Sequence, residues 1–243
     1  MAGHSKWANL QYRNGARLRR QAKVFRKLSR EVGFAVRLGG PDPASNARLR
    51  LALQMASDAG VPQRDVDFAV SHPASRTTDF VRYEGYGPGG AAIIVDCLTE
   101  DRSRMVADLR REFTRYGGSL GANGSVGYLF NQVGLMTFPP GTDVERLIQV
   151  ALHAGAEDVV PSDDGSVEVL ADPTEFEAVR AIITSEGFVP ATAEVSQRSA
   201  TPIRLAGEAG ERMVRLVEAL EELDDVQSVY SNVEISNEVL ASV

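Results

Sequence analysis

Between residues 13 and 37 apolar and basic positions alternate with a helical period. Leu18, Ala22, Phe25, Leu28, Val32 and Val36 recur three or four residues apart, while Arg19, Arg20, Lys23, Arg26, Lys27, Arg30 and Arg37 gather on the opposite side. Positions at that spacing share one face of a helix with 3.6 residues per turn, so the pattern predicts a single amphipathic helix over 13–37. Gly39-Gly40 should end it, and Asp42-Pro43 should open a second helix with Asp42 as N-cap and Pro43 at the first helical position. Leu49, Leu53 and Ala56 mark the buried stripe of that helix, which Gly60 closes. Pro62 opens a third, with Val66, Ala69 and Val70 on its apolar side. Residues 1–77 are thus expected to form a small three-helix domain.

Past Ser71-His72-Pro73-Ala74-Ser75, a linker by composition, the period changes to strands alternating with helices. Strands are expected at 81–86 and 91–98 around the turn Gly87-Pro88-Gly89-Gly90. The second of these is β-branched and almost wholly apolar, as a central strand would be. A helix over 102–116 stops at Gly117-Gly118, and strands follow at 126–130 and 133–138. Residues 132–203 repeat the scheme. Thr142 and Glu145 suggest a capping box for a helix reaching His153. Short strands at 158–160 and 167–170 flank the turn Asp163-Asp164-Gly165. Asp172-Pro173 caps a helix to Glu186, and 189–195 is a strand. An acidic amphipathic helix at 208–223 and a strand at 226–235 end the pattern without partners of their own. The expected fold is therefore α+β and multidomain. The three-helix domain (1–77) precedes two ferredoxin-like, split βαβ units. The first is discontinuous, 78–131 with 204–243, and the second is inserted at 132–203.

Charge sharpens this picture. Residues 1–37 carry ten Lys/Arg (Lys6, Arg13, Arg17, Arg19, Arg20, Lys23, Arg26, Lys27, Arg30 and Arg37) against Glu31 alone, a net of +9. The whole chain is −7, so residues 38–243 carry −16. Solvated helix faces usually interleave Glu with Lys at i,i+4 spacing, and this one does not. A basic arm on an acidic body points to a polyanion partner, and those ten residues are the candidate nucleic-acid contacts. Trp7, beside the arm, fits packing against helices better than base stacking. An Arg-rich, acid-poor start is also the composition of an organelle transit peptide.

Candidate chemistry is sparse. Cys97 is the only cysteine, so no intrachain disulfide or thiolate metal cluster can form. His4, His72 and His153 lie in three different regions without metal-ligand spacing. Glu221, Glu222, Asp224 and Asp225 at a helix end read as a solvated acidic cap. No Walker-type loop is present, and no apolar run approaches the roughly 20 residues of a membrane span. The ambiguous element is Gly87-Pro88-Gly89-Gly90. It can be a tight β-turn, or a place where backbone N–H groups approach phosphate while Tyr83 and Tyr86 offer flat faces for stacking.

Four strings carry a family resemblance: Met1-Ala2-Gly3-His4-Ser5-Lys6-Trp7-Ala8-Asn9, Arg82-Tyr83-Glu84-Gly85-Tyr86-Gly87-Pro88-Gly89-Gly90, Gly124-Ser125-Val126, and Asp224-Asp225-Val226-Gln227-Ser228-Val229-Tyr230-Ser231-Asn232. In this order, and over essentially the whole chain, they resemble the YebC family. The resemblance implies a helical N-terminal domain and two α+β domains, the middle one split in sequence. Because the match begins at Ala2, it also implies that the basic arm is mature protein. Members are described as DNA-binding transcriptional regulators and as ribosome-associated translation factors that help elongation through proline-rich stretches; a mitochondrial branch activates translation. Two departures stand out. Gln11-Tyr12-Arg13-Asn14 replaces a more basic cluster, and Ser71-His72-Pro73 replaces a basic, glycine-containing segment. The expectation is a cytoplasmic, non-enzymatic factor without metal, cofactor or membrane segment. Its partner would be the ribosome, through ribosomal RNA or tRNA, with duplex DNA as the alternative.

Overall fold

The computed structural model describes residues 17–162, 164–235 and 239, with side chains from residue 22 onward. They form two compact units, one of residues 17–125 with 212–229 and the other of residues 126–211 with 230–235 and 239.

The first unit opens with three helices, α1 (Arg17–Gly39), α2 (Ala47–Asp58) and α3 (Gln63–Ser71). From Phe25 onward the apolar stripe read from the sequence is their core, whereas Ala22 is exposed. Val32, Ala35 and Val36 meet Leu49, Ala52 and Ala69, while Phe25 and Leu28 pack beside Ala56, Val61 and Val66. Gly40 ends α1 at φ 84°, a left-handed residue whose N–H donates to the Val36 carbonyl at 2.8 Å. The cap expected at Asp42 belongs instead to Asn46. Its side chain accepts from the Leu49 N–H at 3.1 Å and donates to the carbonyls of Ala35 and Gly40 at 2.8 and 2.9 Å. One buried amide thereby starts α2 and ties it to the end of α1. Asp42 forms a tight turn, accepting from the Ala44 N–H.

A hairpin follows, β1 (Asp79–Tyr86) and β2 (Ala92–Thr99), in register from Asp79↔Thr99 to Tyr86↔Ala92. Every residue of β2 is buried, because it lies between β1 and β9 (Val226–Ser231). Asp101 caps α4 (Arg102–Arg115) by accepting from the Arg104 N–H at 3.0 Å. β3 (Ser119–Leu120) then pairs with the end of β1, giving the order β3-β1-β2-β9. The chain returns to this sheet through α7 (Gly207–Glu221), whose Val214, Leu216 and Leu220 are fully buried.

The second unit runs β4 (Phe130–Phe138), α5 (Val144–His153), β5 (Asp158–Pro161), β6 (Val167–Ala171), α6 (Phe176–Ser185) and β7 (Thr192–Ser199). Its strands lie in the order β5-β6-β4-β7, all pairs antiparallel, which is the split βαβ arrangement. Met136, Phe138, Leu147, Phe176, Val179 and Ile183 fill its core. A two-stranded parallel sheet joins β8 (Ile203–Leu205) to β10 (Val233–Ile235).

Several sequence expectations shift. Residues 127–129 form a 3-10 turn where a strand was expected, and β4 runs unbroken from Phe130, paired with a β7 that reaches Ser199. Pro190 lacks an N–H, and β7 begins only at Thr192. Asp143, not Thr142, caps α5 through the Arg146 N–H at 3.1 Å. Asp172 turns on Thr174, and α6 begins four residues later. The final strand is two, β9 and β10, which join different sheets.

Candidate nucleic-acid interface

Helix period places Lys23, Lys27 and Arg30 along one side of α1, and a second stretch of the same unit supplies their counter-charges. Lys23 Nζ lies 3.0 Å from Glu222 Oε2, and Arg26 Nη1 lies 3.8 Å from Asp224 Oδ1. Arg30 donates to the Asp224 carbonyl at 2.6 Å, the Leu98 carbonyl at 2.7 Å and Asp225 Oδ1 at 3.2 Å. Lys27 is half-buried, and its pKa is lowered by desolvation, which the nearby Glu221 partly opposes. Arg37 donates to the carbonyls of Arg76 and Thr78 and sits 4.6 Å over the Phe34 ring. The basic side of α1 is therefore not an open face: Lys23, Lys27, Arg30 and Arg37 are turned onto their own unit, and Arg26 alone of the five stays mostly exposed. Lys6 and Arg13 lie outside the described residues. Arg17, Arg19 and Arg20 lie on α1, with side chains outside them.

The solvated acidic cap expected at the end of α7 is corrected in part: Glu222 and Asp224 are mostly exposed, though they face Lys23 and Arg26 of α1, whereas Asp225 is buried. Asp225 is the centre. Its Oδ2 accepts from Thr99 Oγ1 at 2.9 Å and Arg104 Nη2 at 2.5 Å, while Oδ1 faces Arg30. Burial pushes its pKa up, but the hydrogen bonds from Thr99 and Arg104 and the charge of Arg30 outweigh burial and hold it below the usual carboxylate range. The adjoining Leu98 N–H donates to the Asp225 carbonyl at 2.8 Å.

The glycine turn is mostly self-satisfied. The N–H groups of Gly87, Gly90 and Ala91 bond within it at 2.7, 3.2 and 3.4 Å, and Gly89 and Gly90 take φ of 68° and 78°. Pro88 has no N–H, so only Gly89 has an amide not used by the turn itself. Gly87 and Pro88 are buried, and Gly89 and Gly90 are exposed. Tyr83 is only 8% exposed, its hydroxyl has no hydrogen-bond partner among the described residues, and desolvation raises its pKa. A ring so enclosed offers no face for stacking, which corrects that expectation. Tyr86 keeps an exposed edge and donates to the Ser125 carbonyl at 2.9 Å.

Sequence reasoning missed how this turn is framed. A side chain at Gly118 would collide with the Tyr86 carbonyl and come 3.1 Å from Gly87 Cα, so the turn after α4 lies directly against the Gly87 turn. Glu84, buried in β1, braces the next loop by accepting from the Gly124 N–H at 2.9 Å. The paired glycines 117 and 118 were a visible signal, whereas nothing in local pattern announced Glu84. Cys97 is fully buried, and desolvation, with Asp96 and Asp225, pushes its thiol pKa up. His72 stacks on Phe68 at 4.1 Å.

Two family models match, the TACO1/YebC protein N-terminal domain over residues 5–74 and the TACO1/YebC second and third domain over residues 78–233. The chain belongs to the TACO1/YebC family. A "Probable transcriptional regulatory protein" of Methylococcus capsulatus is 48% identical over 99% of both chains, and one of Thioalkalivibrio sulfidiphilus is 47% identical over 99% of this chain and 98% of its own. A solved structure, a conserved hypothetical protein of Aquifex aeolicus, is 36% identical with a TM-score of 0.79, covering 90% of this chain and 92% of that one. The resemblance read from the four sequence strings thus names the family that the whole chain matches. Among the described residues no helix is long and apolar enough to cross a membrane.

Proposed function

We propose that this TACO1/YebC-family chain is a non-enzymatic, cytoplasmic RNA- and ribosome-binding factor that assists elongation and relieves pausing at proline-rich stretches. The observation that carries the reading is the concentration of ten basic residues against one acid in residues 1–37 of an otherwise acidic chain. Arg26, which stays mostly exposed, and the positions Lys6, Arg13, Arg17, Arg19 and Arg20 are the candidate contacts of that arm. Proline reacts slowly because its ring fixes φ and restricts the residue before it. A factor without acid–base or nucleophilic groups of its own can still help by positioning, which lowers the entropic part of a barrier that another catalyst acts on. In this reading the basic arm anchors on RNA, and the glycine turn of the first sheet approaches tRNA or the nascent chain through Gly89 and Gly90. The test is a reconstituted translation reaction in which pausing at consecutive prolines is compared with pausing at other codons.

The second reading, a DNA-binding transcriptional regulator, is favoured by the names of the relatives. Phosphate contacts alone do not separate the two, because RNA and DNA present the same charge. Binding to a defined duplex, measured against a scrambled one and against RNA at the same salt, separates them.

A further inference from the structure

The side chains of Arg104, Arg111 and Arg115 are 60%, 62% and 68% exposed, and they fall on one stripe of α4 at steps of seven and four residues. The acids beside them are sunk beneath this row. Asp108 is 29% exposed and Glu112 is 9% exposed, with Arg111 bonded to both at 3.0 Å. Carboxylates below and guanidiniums above leave a surface whose outward charge is positive, although the helix counts both signs. Each guanidinium has five donors in a planar fork, and these contacts use only one or two of them. The row ends where Arg115 lies 5.4 Å over the Tyr116 ring, next to Gly117. A side chain at Gly117 would come within 3.9 Å of Arg212 Nη1, and Gly118 lies against the Gly87 turn.

We propose that the α4 row, with Arg111 and Arg115 as its contacts, is a second binding surface for the phosphate backbone of RNA. It is carried by a different element from the N-terminal arm and adjoins the glycine turn. Gly117 is exposed, and a Cβ there would meet only Arg212 Nη1 at 3.9 Å, so a backbone can come close at that point while Arg111 and Arg115 reach its phosphates. Arg104 is excluded as a contact because it holds Asp225. The inference rests on the RNA-binding reading above.

The experiment uses the full chain and a labelled 20-nucleotide single-stranded RNA, with affinity measured across a salt series. Removing one arginine–phosphate interaction with a single strand flattens the slope of log K against log salt by about 0.7, so R111Q/R115Q should flatten it by roughly 1.4. The control R64Q/R204Q removes two arginines whose side chains are each 86% exposed, and it should leave the slope unchanged. Since R111Q/R115Q uncovers the buried Glu112, R111Q/E112Q/R115Q serves as the variant without that uncompensated charge and should show the same flattening. An unchanged slope in the folded triple variant overturns the α4 surface while RNA binding by the arm stands. Equal flattening in R64Q/R204Q overturns it too, by showing a diffuse charge effect. A wild-type chain that binds no RNA sinks the RNA reading and this inference together.

Discussion

Arg30 and Asp225 lie 195 positions apart in the chain and 3.2 Å apart in the fold, with Arg30 also donating to the carbonyls of Leu98 and Asp224. This pair fixes the register between the helical bundle and the sheet of the same unit. Arg104 and Thr99 hold the other oxygen of Asp225, so one carboxylate joins α1, β2 and α4.

D225N should therefore destabilise the first unit by about 2–3 kcal/mol, since it leaves two arginines facing a neutral amide in a largely enclosed site. The pH dependence has a definite sign. A carboxylate with a depressed folded pKa contributes stability above its unfolded value of about 3.9, and the contribution is lost as pH falls through the folded pKa. In urea unfolding from pH 6 to pH 2 the stability difference between wild type and D225N should hold above about pH 4 and shrink below it, the titration of the other carboxylates being common to both proteins. Parallel curves for the two proteins would mean that Asp225 carries no such charge linkage.

Glu222 and Asp224 are mostly exposed where they meet Lys23 and Arg26. Exposed pairs contribute little, so E222Q/D224N should cost less than about 1 kcal/mol. The same change removes two negative charges from the counter-surface of α1 and should raise affinity for RNA, most visibly at low salt. Weaker RNA binding by the double variant would show that the ion pairs present α1 to its ligand rather than occupy it.

The glycine turn separates packing from exposure. A Cβ at Gly87 would lie 2.8 Å from Ile93 Cδ1 and 3.0 Å from Met213 Sδ, so G87V should destabilise the sheet by about 1–3 kcal/mol. Gly90 has a positive φ with nothing within 4 Å of its missing side chain, so G90N should cost only about 1 kcal/mol or less. Thermal unfolding of the two variants checks the order. G90N is then the variant with which to ask whether the turn matters in translation.

Much of the fold was legible in local pattern. The apolar stripe of α1 and the continuous apolar run of β2 each predicted the side that is buried, because period and burial are directly linked. The last strand's lack of a neighbour pointed back to the first sheet, beside which β9 lies. Caps were read less well. Asp42, Thr142 and Asp172 are all good turn formers, and the choice of Asn46 over Asp42 depended on carbonyls at the end of α1 that only the tertiary arrangement brings near. The site was the least legible part. Periodicity tells which basic residues share a face, not what that face meets, and the acids that meet Lys23, Arg26 and Arg30 come from the far end of the chain. Tyr83 was misread for a related reason. Its place in a hairpin is local information, whereas its enclosure depends on the rest of the unit.

The central claim is that the chain acts on elongation at proline-rich stretches. The most direct measurement is ribosome pausing in a reconstituted translation system programmed with consecutive proline codons, with and without the purified full chain. The account predicts that pauses at prolines shorten while pauses at other codons change little. It also predicts that charge reversal of the arm (Arg17→Glu, Arg19→Glu, Arg20→Glu and Arg26→Glu together) abolishes the effect in protein that remains folded. Proline pauses left unchanged by wild-type protein, together with far tighter binding to a defined duplex DNA than to a scrambled one, would contradict it and establish the transcriptional reading in its place.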